Sequence, residues 1–145
     1  MANISGNSRI APGVYHDIYQ HRFYGGDNYF HYKTNIPLST YIMVMIEAIG
    51  YAYGANQSIR SSWVFYSYSH LSNPATANVY SGMNADGVYV SSDNYVCIRA
   101  YCPSYFSGWT FNAYTLNPTG YNTQVQFTAV VQTSNSGNYY WLWQI

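Results

Sequence analysis

The sequence predicts an all-β fold, an antiparallel β-sandwich of jelly-roll-like build. Three observations predict it. Apolar residues recur at every second position in segment after segment. Turn signals separate these segments at intervals of roughly eight to twelve residues, giving about eight short strands. No apolar pattern of helical period runs beyond about ten residues.

Residues 1–28 show no period. The first thirteen are polar with Pro12 and Gly13, and 16–26 hold His16, His21 and a Gly25-Gly26 breaker. They read as an N-terminal arm or anchoring segment, followed by a sandwich domain at 29–145. Residues 29–34 read as a short strand ended by Pro37. Over 40–53 the two faces are Tyr41, Met43, Met45, Glu47, Ile49, Tyr51 and Ile42, Val44, Ile46, Ala48, Gly50, Ala52. Both are largely apolar, as in a central strand or an interface strand. Over 58–69, Ile59, Ser61, Trp63, Phe65 and Ser67 alternate with Arg60, Ser62, Val64, Tyr66 and Tyr68, an aromatic and β-branched strand.

Residues 70–77 contain Asn73-Pro74 and read as a loop, and 78–82 as a short strand. Asp86-Gly87 predicts a turn before a strand at 88–91, and Ser92-Asp93-Asn94 another before 95–101. A strand at 109–115 precedes the turn Asn117-Pro118-Thr119-Gly120. Over 123–133, Val125, Phe127, Ala129 and Val131 should share one face, opposite Gln124, Gln126 and Thr128. After a turn at 134–138, residues 139–145 close the chain. That aromatic end would be a liability as an exposed edge. It is expected to lie buried, in its own sheet or between subunits.

Composition narrows the function. Of 145 residues only 7% are charged, five cationic and five acidic, whereas 19 are tyrosine. The phenol offers an apolar ring and a hydrogen-bonding tip without a charge. Arg9, Arg22, Lys33, Arg60 and Arg99 are scattered, which argues against nucleic acid and a membrane surface as partners. No secretory signal is visible at the start, and 41–53 is too short for a membrane helix. Cys97 and Cys102, on one extended strand, would lie roughly 16 Å apart and on opposite faces. Free thiols are expected, as in a reducing cytoplasm.

No catalytic or cofactor site is read. His16, His21 and His31 with Asp17 and Asp27 match no metal-ligand spacing. No Gly-x-Ser-x-Gly elbow occurs, and the acids offer no obvious facing pair. Glu47 sits in an apolar strand, where a carboxylate needs a partner. A salt bridge to Arg99 or Arg60 is the plainer account; a polar registration point at a subunit interface is the functional one. The rings are too many for one small core. A self-association surface or sugar stacking would use the surplus. Glu47, Tyr139, Tyr140, Trp141 and Trp143 are the candidate subunit interface. Tyr15, His16, Tyr19, His21 and Tyr24 are the candidate anchoring residues.

Three stretches also carry a family likeness: His31-x-Lys33-Thr34-Asn35-Ile36-Pro37, Glu47-x-x-Gly50-Tyr51-x-Tyr53-Gly54 and Ser91-Ser92-Asp93-Asn94-Tyr95-Val96. Over roughly residues 30–100 the chain resembles tip domains of bacteriophage tail fibres and tailspikes, and the capsid decoration (cement) proteins similar to them. The resemblance implies a β-sandwich that trimerises on a virion made in the host cytoplasm. It carries over no catalytic or metal residue. A tip domain ends a much longer chain, so a short chain starting at Met1 is expected to be the cement protein. Its partners would be itself, the major capsid protein and, in a further role, host surface glycans. The alternative is a receptor-binding fibre tip that recognises such glycans.

Overall fold

The computed structural model describes residues 8–11, 13–80, 82–116 and 124–139. Among them are ten strands: β1 (Ser8–Ala11), β2 (Val14–Phe23), β3 (Asn28–Pro37), β4 (Ile42–Ala52), β5 (Gln57–Tyr68), β6 (His70–Asn78), β7 (Asn84–Val90), β8 (Tyr95–Cys102), β9 (Ser107–Thr115) and β10 (Phe127–Thr133). They form two antiparallel sheets packed as a β-sandwich. The six-stranded sheet runs β1-β2-β9-β4-β5-β6, the four-stranded one β10-β3-β8-β7. The pairs β2/β9 and β3/β8 nest as in a jelly roll, whereas β4-β5-β6 form a meander.

The alternation read over 40–69 sets the centre of the large sheet. Ile42, Val44, Ile46 and Ala48 of β4 are buried, as are Ile59, Trp63 and Phe65 of β5. β4 pairs with β5 and β9 without a break in register. Trp63 donates Nε1–H to the carbonyl of Arg99 across the sandwich, at 2.9 Å. Its ring meets Phe111, which packs on Tyr32 and Phe127 of the other sheet. A side chain at Gly50 could not fit: its Cβ would lie 2.0 Å from the Gly108 carbonyl oxygen. Cys97 and Cys102 are free and buried. They face opposite sides of β8, Cys102 in the main core and Cys97 beside Tyr89 on the outer face.

Four departures share one cause, the β-bulge. The segment read as an unpatterned arm contributes β1 and β2, and Tyr15, Ile18 and Phe23 enter the core. Its period is broken where the register shifts between Tyr15 and Tyr19, with Asp17 at φ 56°. Residues 70–77, read as a loop, belong to β6. It is an edge strand that accommodates Pro74 at a register shift, beside Asn73 at φ 47°. Asp86-Gly87 is no hairpin turn but a bulge inside β7. In β10 the shift falls between Phe127 and Ala129. Phe127 and Val130 therefore pack on the main core, and Ala129 and Val131 on the opposite face. The short strand read at 78–82 does not form: Asn78 ends β6 and bends follow. The turn at 117–120 and the final strand over 140–145 lie outside the described residues.

Candidate interaction surfaces

The first surface is the outer face of the six-stranded sheet. Strand alternation puts Met43, Met45, Glu47, Ile49 and Tyr51 of β4 there, flanked by Val64, Tyr66 and Tyr68 of β5 and Tyr114 of β9. Met43, Ile49, Tyr51 and Tyr68 are each more than a third exposed. Tyr66 stacks on Tyr68, and Tyr41 stands edge-on to it. Glu47 lies in the middle of this face. Tyr114 donates its hydroxyl to Glu47 Oε2 at 2.6 Å, and Asn112 Nδ2 approaches at 3.3 Å. Burial and this carboxylate push the Tyr114 phenol up to about 12. The expected bridge from Glu47 to Arg99 or Arg60 is absent among the described residues. Arg99 lies in the other sheet, where it pairs with Asp86 at 2.8 Å.

The outer face of the four-stranded sheet is polar and partly covered. Lys33 is nearly dry and donates to Asp93 Oδ2 at 2.6 Å. Burial works against the Asp93 charge, but the hydrogen bonds from Lys33 and Ser91 outweigh it and hold the carboxyl below its usual range. His31 is buried and hydrogen-bonded through Nδ1 to the Tyr89 hydroxyl, 2.8 Å away. Burial first, then the Arg99 charge, lowers its pKa to about 4. The chain returns over this face after β10. Asn138 Oδ1 accepts from Arg99 at 2.8 Å, and the Tyr139 ring lies 5.9 Å from that of His31.

A third surface lies at one end of the sandwich, where the β2–β3, β4–β5 and β8–β9 turns meet. Tyr24, Tyr53, Tyr105 and Phe106 are exposed by 59%, 57%, 57% and 37%. The Tyr24 and Phe106 rings stack at 4.9 Å and 14°. Tyr53 stands at 62° to Phe106 and Tyr105 at 50°. Backbone bonds Tyr53 N–H to Phe106 O, at 3.0 Å, and Gly54 N–H to Tyr105 O, at 2.9 Å, tie the turns together. Gly54 permits this approach, since a Cβ there would lie 2.7 Å from Tyr105 O.

The candidate interface residues do not share one surface. Glu47 is on the large sheet's outer face, and Tyr139 is across the sandwich on the small sheet. Tyr140, Trp141 and Trp143 lie outside the described residues. The candidate anchoring residues are dispersed as well. Tyr15 is sealed in the core and Tyr19 packs on Tyr32, Phe111 and Phe127. His21 is half-buried against Phe30 and Trp109 and hydrogen-bonded through Nδ1 to the Tyr32 hydroxyl at 2.6 Å. Burial lowers its pKa to about 4. His16 is exposed beside Tyr114, and Tyr24 belongs to the loop-end cluster. His16, His21 and His31 thus point into three different environments. Sequence reasoning missed Tyr53, Tyr105 and Phe106 as a group; aromatics flanking Gly25-Gly26, Gly54 and Pro103 in turn positions were the available signal. No protein-family model, curated protein or solved structure matches this chain.

Proposed function

We propose that this chain is a non-catalytic structural protein that self-associates through the outer face of its six-stranded sheet, and that it decorates the outside of a bacteriophage capsid as a trimer clamped to the major capsid protein. The observation that carries the self-association is the exposed Met43–Tyr51 face of β4 with its neighbours on β5 and β9. It is broad, aromatic and methionine-rich, and nearly free of charge, which is the composition of an interface core rather than of a solvated sheet. Glu47 supports the same reading. Held by Tyr114 and Asn112, it keeps a carboxylate oxygen for a partner and would set register at the contact. The non-catalytic reading draws on the acids: Glu47, Asp27, Asp86 and Asp93 all hold structural partners. The viral setting rests on the resemblance of the three sequence stretches alone.

Sedimentation equilibrium tests the first part. The protein should run as a trimer, and Met43→Lys with Met45→Lys should give a folded monomer. A wild-type monomer at micromolar concentrations would overturn the surface assignment. Quantitative mass spectrometry of purified particles tests the second. Decoration requires copies on the order of hundreds per particle, and a handful would refute it.

A further inference from the structure

We infer that the loop-end cluster of Tyr24, Tyr53, Tyr105 and Phe106 is a binding platform for pyranose sugars, separate from the sheet face. Phe106 holds φ at 57°, the left-handed region that a bulky residue adopts at a cost of roughly 1–2 kcal/mol and that glycine adopts freely. Local structure does not require the ring, because the turn is tied by the Phe106 carbonyl and by Gly54, not by the side chain. Such strain gathers at functional sites, but Tyr41 carries the same φ, 58°, outside this cluster, so the strain supports the assignment beside the ring geometry and does not carry it alone. Here it places a phenyl ring flat against Tyr24, at the mouth of the turns.

The chemistry of the four rings selects the ligand. A pyranose presents a patch of C–H bonds on its face and hydroxyls around its rim. The C–H patch is weakly positive and matches the negative face of an aromatic ring. The rim hydroxyls need donors and acceptors, which the exposed hydroxyls of Tyr24, Tyr53 and Tyr105 supply. Rigidity favours the same conclusion, since three turns are locked together before a ligand arrives and little ordering remains to be done on binding. Size separates this from a protein contact. Four half-exposed rings offer roughly 100 Å² each. Their sum is about half of the roughly 800 Å² per partner that a stable protein interface takes, yet it covers one or two sugar rings.

The test uses the full chain, isotope-labelled, titrated with maltohexaose and separately with an N-acetylglucosamine hexamer, followed by amide and aromatic NMR shifts. Shifts confined to residues 24–27, 53–56 and 103–107 are the expected result with at least one of the two. Phe106→Gly removes the ring and relieves the strain, so it should stay folded, gain thermal stability and bind about tenfold more weakly. Met43→Lys should disrupt assembly and leave sugar binding unchanged, so the two surfaces fail independently. Unchanged affinity in Phe106→Gly overturns the platform, as does silence with both sugars at millimolar concentration. Shifts at these turns on simple concentration, without sugar, would reassign the cluster to a second copy of the chain.

Discussion

Acidification should weaken the fold through two histidines, the buried His31 and the half-buried His21. His21 and His31 both have their pKa lowered by burial from 6.5 to about 4. In the unfolded chain each titrates near 6.5, so between the two values the unfolded state binds more protons than the native one. Stability therefore rises with pH across that window; it is complete above the unfolded value and is lost as pH falls toward 4. From pH 7 to pH 5 the loss is about 2 kcal/mol for a histidine shifted this far, somewhat less for His21, whose ring is only partly covered. The local geometry gives the reason. Each imidazole is hydrogen-bonded at Nδ1 to a tyrosine hydroxyl, of Tyr32 and of Tyr89, and a charge there would give up its hydration for a neutral partner. His31 would in addition carry its charge beside Arg99, with Asp86 as the opposing influence. Urea unfolding at pH 7 and pH 5, at one protein concentration, measures the effect. The wild type should lose about 3 kcal/mol in total. A His21→Gln, His31→Gln double variant should start less stable and change little between the two conditions. If the wild type keeps its stability at pH 5, or the double variant retains the full dependence, the neutral histidines are not the cause.

Three further outcomes follow from packing. Asp93→Ala removes the carboxylate from a nearly dry Lys33 and should cost about 2 kcal/mol, below the usual figure for a broken buried pair because Asp93 is about a third exposed; an unchanged thermal midpoint would contradict it. Gly50→Ala drives a Cβ into the β9 backbone and should cost about 4 kcal/mol or abolish soluble expression, whereas a variant melting within a few degrees of wild type would show that β4 and β9 can part cheaply. Cys97 and Cys102 are both fully buried, and burial pushes the Cys102 thiol up. A thiol reagent should thus label neither in the native protein and both in denaturant; fast native labelling would place a thiol at the surface.

The strands readable from sequence are those whose alternation is unbroken. β4, β5, β8 and β9 were legible because each has one face in the core and no bulge at its centre, so local pattern and tertiary environment agree. β2 and β6 were not, β7 was read only from Val88 onward, and β10 was read as a strand but with the wrong faces beyond Thr128. A bulge inserts a residue and flips the parity, and its place is set by the neighbouring strand rather than by local composition. Thr128 shows this most simply: Ala129 and Val131 continue a perfect alternation on paper, yet they end on the face opposite Phe127. The same reason explains Asn73 and Asp86, polar residues that read as loop and turn signals, and the bulge at Asp17 that hides the period of β2.

By itself the sequence determined the fold class, the free thiols on opposite faces and the surplus of uncharged aromatic surface, because these depend on composition and on period two. Tertiary structure alone decided where that surplus lies. Glu47 found Tyr114 and Asn112 of β9; Arg99 went to the other sheet, and Arg60, opposite Ile49 on the same face, makes no ion pair with Glu47 among the described residues. Tyr24, Tyr53, Tyr105 and Phe106 became one cluster because three turns far apart in the chain converge at one end of the sandwich, and no local pattern encodes that meeting.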